Sequence, residues 1–201
     1  MAMDRSDRDV HLGSAAGGSA ASGSAADGSA AGGPFAADVE AERRGWYELA
    51  ELVRSLTPQE CLEAGYYRDP DWTVRDVVGH LGTWLAEAEV QIERMNAGTY
   101  EGHDVDVDAL NAAFLEAMHD QPWEIAWLQA NAGRARMVQV WFALHEPDDE
   151  AAWWIRKSGG DHYAEHLERL RAWVAERVAR RATVDDGAGT EARVAPQPLP
   201  P

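Results

Sequence analysis

Three of the seven histidines in this 201-residue chain sit where imidazoles could act together. In GGDHYAEHLERLRAW, which runs from Gly159 to Trp173, His162 and His166 are separated by one helical turn. On an α-helix that spacing sets them about 40° apart around the axis and about 6 Å apart along it, close enough for two rings to reach one ion. His166 falls within the apolar arc of Tyr163, Leu167, Leu170 and Val174, with Trp173 at its edge. A neutral imidazole in a core needs a partner for both its donor and its acceptor nitrogen. A metal satisfies two such acceptors at once, whereas a hydrogen-bonded structural pair fits the same spacing. His80, in DWTVRDVVGHLGTW, borders the apolar stripe of another helix near Trp84 and Gln91. If it faces the pair, it supplies a third ligand and leaves coordination positions open, as a catalytic metal requires.

Other chemistry-bearing patterns are weaker. HYAEH matches the inverted zinc-peptidase motif H-x-x-E-H, but that motif needs a distant acidic third ligand and a larger fold, and only the end of a helix and a tail follow it. Asp104, Asp106 and Asp108 resemble the start of a calcium loop. However, Ala109 stands where glycine is required and Leu115 where the bidentate glutamate belongs, so a solvated loop with a helix cap is expected. Cys61 is the lone cysteine, so no internal disulfide can form; this suits a reducing cytoplasm and reads as a structural thiol. His11, His103, His119 and His145 receive no role.

Helices must position these residues. Trp46, Leu49, Val53 and Leu56 recur at helical steps within Ala36 to Leu56. Thr73 caps a second helix, with Asp76 at the reciprocal position, that runs to about Met95 on a stripe of Val77, Leu81, Leu85, Ala88 and Ile92. Asp106 or Asp108 caps a helix through Asn111, Phe114, Leu115 and Met118. Pro122 opens another, to about Leu144, and the last long helix spans about Gly160 to Arg181 with a short segment at Trp153 and Trp154 before it. No window alternates as a strand does. The expected architecture is all-α, a four-helix bundle over residues 35–183, with nine tryptophans supplying much of the packed volume.

Residues 1–34 are rich in Gly, Ser and Ala, and residues 184–201 in Gly and Pro; both read as disordered tails. The chain carries 35 acidic and 18 basic residues, a net charge of −17, which repels a phosphate backbone and argues against nucleic acid. No long apolar run or apolar leader segment occurs, so no membrane span or secretion is expected.

The stretches WTVRDVVGHLGTW, DALNAAF and SGGDHYAEHLERLRAW, in that order and spacing, resemble the DinB-like four-helix-bundle superfamily. That superfamily includes mycothiol-dependent maleylpyruvate isomerases, bacillithiol transferases and self-resistance proteins of the colibactin-resistance type. The resemblance implies a divalent metal, zinc or nickel, on His80, His162 and His166. The isomerases usually carry Glu where this chain has His162, and DALNAAF and DHYAEH lean toward the self-resistance group, some of which hydrolyse strained electrophiles without metal. The expected function is therefore a cytoplasmic small-molecule enzyme. In it, a metal activates water, or a low-molecular-weight thiol such as mycothiol, against an electrophile. Trp84, Asn111 and Tyr163 would line the pocket, and Tyr163 or Glu165 would move protons. The alternatives are a metal-independent self-resistance hydrolase, with His80 and His162 as base and orienting group, or a sequestering binder without catalysis. A homodimer is compatible with any of these.

Overall fold

The computed structural model describes residues 33, 35–68, 71–102 and 105–191. The expected tail over residues 1–34 lies outside the described residues except for residue 33, as do His11, His103, Asp104 and residues 192–201. Among the described residues seven α-helices follow in order: α1 (Ala36–Arg54), α2 (Pro58–Cys61), α3 (Val74–Ala97), α4 (Val107–Met118), α5 (Trp123–Ala143), α6 (Asp149–Ile155) and α7 (Asp161–Glu191). The protein is all-helical, and no strand occurs among the described residues. None of the described helices is long and apolar enough to cross a membrane.

Local chemistry explains where the helices begin. Thr73 accepts a hydrogen bond from the Asp76 backbone N–H, and the Asp76 carboxylate accepts from the Thr73 N–H at 2.8 Å, which fixes the start of α3. Thr57 and Glu60 repeat the device at α2. Asp106, rather than Asp108, caps α4. At the other end of α3, Gly98 takes a left-handed φ of 68° and its N–H returns to the carbonyls of Arg94 and Met95, an arrangement that a residue with a Cβ disfavours.

α7 continues to Glu191, past the end expected at Arg181, so residues 184–191 have helical backbone where a tail was expected. Extending an existing helix fixes one residue per hydrogen bond gained, and no proline interrupts the chain before Pro196.

Four long helices form the core. α1 lies against α7 and α3 against α5. The ring is closed by Trp46 of α1 stacking on Trp127 of α5 at 6.0 Å, and by His80 of α3 meeting His162 of α7. The predicted stripe of α3, from Val77 to Ile92, is fully buried. Its approach to α5 is unusually close: a Cβ on Gly82 would stand 2.9 Å from Ala130 Cα, and one on Gly133 would stand 3.1 Å from the Gly82 carbonyl. The face α5 turns to α3 is consequently built of Ala126, Ala130, Gly133 and Met137, while the larger Ile125, Leu128 and Phe142 are exposed. Hydrophobicity therefore misidentifies the inner face of α5. Small size selects it where α3 comes closest, at Ala130 and Gly133, although the large Trp141 is buried on α5 as well.

Between α6 and α7 the chain kinks through Arg156–Gly160. Here α1 presses on the backbone, since a Cβ on Gly159 would lie 2.8 Å from Glu42 Cγ and one on Gly160 would lie 3.3 Å from the Glu42 nitrogen. Glu42 itself is 1% exposed. It accepts two hydrogen bonds from the Arg134 guanidinium, at 2.8 and 2.9 Å, and a third from the Tyr163 hydroxyl at 3.2 Å. This pairing satisfies a charge that would otherwise be prohibitive to bury. It also ties α1, α5 and the start of α7 together directly beside His162.

Candidate metal centre

α3 and α7 bring His80, His162 and His166 into one cluster. Their exposures are 7%, 3% and 6%, and one potential ligand atom from each lies within 4.8 Å of the others. His80 Nε2 and His162 Nε2 are 3.0 Å apart. The ring centroids are separated by 4.8 Å for His80 and His162, 5.2 Å for His162 and His166, and 5.9 Å for His80 and His166. The border position expected for His80 on its own helix is thus the one that faces α7. The pair from α7 projects inward because residues 162 and 166 share the face that also carries Tyr163, Leu167 and Leu170 into the core.

Burial decides the protonation of all three. It drives His80 down to about 3, with the positive form of His166 opposing protonation further. It lowers His166 to about 4. His162 is held well below the ordinary range by burial first, and then by His80, His166 and Lys157. At neutral pH the cluster consists of three uncharged imidazoles, the form in which histidine binds metal.

A segment between α2 and α3, missed in the sequence reading, completes the site. The Tyr67 backbone N–H donates to the Trp72 carbonyl at 3.0 Å, which ties these two aromatic residues together. The Tyr67 hydroxyl lies 3.1 Å from His166 Nδ1, and the Trp72 ring centroid lies 5.1 Å from that of His80. Burial raises the Tyr67 phenol, with Arg169 opposing that shift and Glu165 adding to it. Tyr67 therefore stays protonated at neutral pH. On the α4 side, Trp84 places its ring 6.0 Å from His162 and donates from Nε1 to Asn111 Oδ1 at 2.9 Å.

Hydrogen bonds within the cluster leave specific atoms unpaired. His166 Nε2, His162 Nδ1 and Trp72 Nε1 are buried and have no hydrogen-bond partner. A single His80–His162 hydrogen bond cannot answer for these atoms. A divalent ion would take up the free acceptor of His166, and the 3.0 Å nitrogen separation suits two ligands bonded to one centre at about 2.0–2.1 Å. Tyr67 on Nδ1 then serves as the outer hydrogen-bond partner that metal-ligating histidines characteristically have. By donor chemistry and by unpaired atoms, the three residues fit a metal.

The other expected site residues divide. The Trp84 ring lies 6.0 Å from that of His162, and Asn111 reaches the cluster's surroundings as the acceptor of the Trp84 indole. Tyr163 does not point its hydroxyl there: it is wholly buried against Trp46 and donates to Glu42, and burial followed by the Glu42 charge keeps that hydroxyl from ionising. The wheel reading correctly put Tyr163 on the inner face of α7 but could not show that α1 claims it. Glu165 is solvent-exposed, and its charge adds to the upward shift of the Tyr67 phenol. A groove of about 800 Å³ lined by Glu87, Gln91, Arg94, Thr99 and Leu110 includes none of the three histidines. The unpaired histidine atoms, His162 Nδ1 and His166 Nε2, lie in the cluster and not in that groove.

Fold and site together define an all-helical protein with a buried three-histidine cluster between two of its long helices. No family model matches the sequence, and no curated protein matches it significantly. Among solved structures, the chain is similar to an uncharacterised protein from Escherichia coli UTI89, with a TM-score of 0.60 and 17% identity over 71% of this chain and 94% of that one. At that identity the likeness concerns the fold alone.

Proposed function

We propose that the chain is a DinB-like small-molecule enzyme in which His80, His162 and His166 hold one divalent metal, zinc or nickel. The observation that carries this reading is the unpaired, buried Nε2 of His166 beside two imidazole nitrogens already 3.0 Å apart. Held by these three imidazoles, a divalent ion would supply Lewis acidity able to lower the pKa of water or of a low-molecular-weight thiol such as mycothiol. The chain's own residues supply the rest. Tyr67 holds the His166 ring and its tautomer. Trp72, Trp84 and Phe114 surround the cluster with apolar surface that limits water. Asn111 offers an amide at the α4 side to orient a small electrophile. The net charge of −17 makes nucleic acid a poor substrate, and the free, buried Cys61 suits the cytoplasm.

Metal analysis of purified protein tests the reading. About one zinc or nickel per chain is expected in the wild type, with a loss of tenfold or more in affinity in His166→Ala. A wild-type protein that neither carries nor takes up an ion refutes it.

The direct His80–His162 contact favours a second reading, a metal-independent hydrolase in which one imidazole acts as base and the other orients it. Turnover of a strained electrophile that survives exhaustive chelation would select this reading over the first.

A further inference from the structure

The unpaired indole of Trp72 has a bearing on what enters the site. An indole N–H can only donate, and a buried tryptophan ordinarily finds an acceptor for it. Trp72 Nε1 has none, although its ring packs 5.1 Å from the ring of His80. The residue is not a loosely placed surface group. Its carbonyl is bonded to the Tyr67 N–H at 3.0 Å, and the next residue, Thr73, is the cap of α3. Leaving a buried donor unsatisfied costs the fold its full desolvation penalty. With its carbonyl tied to Tyr67 and Thr73 capping α3, the partly buried Trp72 keeps this donor on a ring 5.1 Å from that of His80, organised for an acceptor that arrives from outside.

We infer that the ligand of this site presents an oxygen acceptor, a carboxylate or carbonyl, and that Trp72 Nε1–H is the group that recognises it. The inference rests on the metal reading above and extends it to the chemical class of the ligand. His166 Nε2 and the His80–His162 pair offer lone pairs to a cation, whereas Trp72 offers a proton to an anion or dipole. The two kinds of unpaired atom therefore call for different ends of one assembly: an ion, and an oxygen beside it. Tyr67 does not supply that acceptor: its hydroxyl lies against His166 Nδ1 at 3.1 Å, and Trp72 Nε1 has no partner.

The test uses full-length protein loaded with cobalt(II), titrated with acetate and, separately, with imidazole, and followed by the visible spectrum. Acetate carries an acceptor beyond the atom that meets the ion; imidazole carries only an N–H. In Trp72→Phe, acetate is expected to bind about tenfold or more weakly while imidazole and cobalt affinities stay within about twofold. Unchanged acetate affinity, or equal weakening of acetate and imidazole, overturns the inference and leaves the metal reading intact. Failure of the wild type to bind cobalt removes both. Should Trp72→Phe not fold, the zinc-loaded wild type still decides the matter: the Trp72 indole N–H resonance moves on adding acetate if the bond forms, and an unmoved resonance rejects it.

Discussion

Acidification is the perturbation to which the histidine cluster should respond most strongly, and its size can be worked out. In the unfolded chain each imidazole titrates near 6.5. In the folded chain His80 is brought down to about 3 and His166 to about 4, and His162 is held well below its ordinary value. The unfolded state therefore takes up protons first as pH falls, so the stability these groups contribute is intact above about pH 7 and is lost below about 6.5. At about pH 5 each unfolded imidazole gains about 2 kcal/mol from protonation, and the three together about 6 kcal/mol, a large part of the 5–15 kcal/mol available to a typical domain. The carboxylates of Asp76 and Glu40 are held below their ordinary values and titrate outside this window. The assay is urea unfolding of chelator-treated protein, followed by tryptophan fluorescence between about pH 7.5 and pH 5. The unfolding free energy should fall by several kcal/mol, and His166→Gln should remove about a third of the slope. Added zinc should displace the transition to lower pH, because metal and protons compete for the same nitrogens. A midpoint unchanged over that range would show that the imidazoles are not held uncharged in the folded state, and the account of the cluster would fail.

Two further perturbations probe the scaffold. Glu42→Ala leaves the Arg134 guanidinium without its buried partner and Tyr163 without its acceptor, so a loss of about 3–5 kcal/mol in denaturant unfolding is expected; a loss under about 1 kcal/mol would deny the pair its structural role. Gly82→Ala drives a methyl to 2.9 Å from the Ala130 backbone, which cannot swing aside as a side chain can. A cost of about 1–3 kcal/mol is expected, and an unchanged melting temperature would mean that α3 and α5 are less tightly apposed.

Particular elements show how far the sequence can be read. α3 was legible throughout, because Thr73 and Asp76 announce its cap and Val77 to Ile92 keep a clean helical period. α5 was legible as a helix but not in its orientation, since the face that packs is defined by Ala130 and Gly133 and the exposed face holds Leu128 and Phe142. The His162–His166 pair was visible from its spacing. Tyr67 and Trp72 were not, because GYYRDPDWT reads only as a turn rich in aromatics, and nothing local shows that its two ends reach two different helices. Tyr163 was misread for the complementary reason: its partner, Glu42, is distant in sequence and looks like an ordinary surface charge on α1.

The sequence alone determined what depends on neighbours along the chain: the helical period, the cap at Thr73, the inward face of α7 and the one-turn separation of its two imidazoles. The tertiary structure decided what depends on distance through space. It brought His80 to within 3.0 Å of His162, gave Glu42 rather than the site to Tyr163, and left the nitrogens of His166 and Trp72 without partners. The division follows from range. Backbone hydrogen bonding and side-chain periodicity act over a few residues, whereas burial and its effect on a proton are set by whichever helix packs opposite.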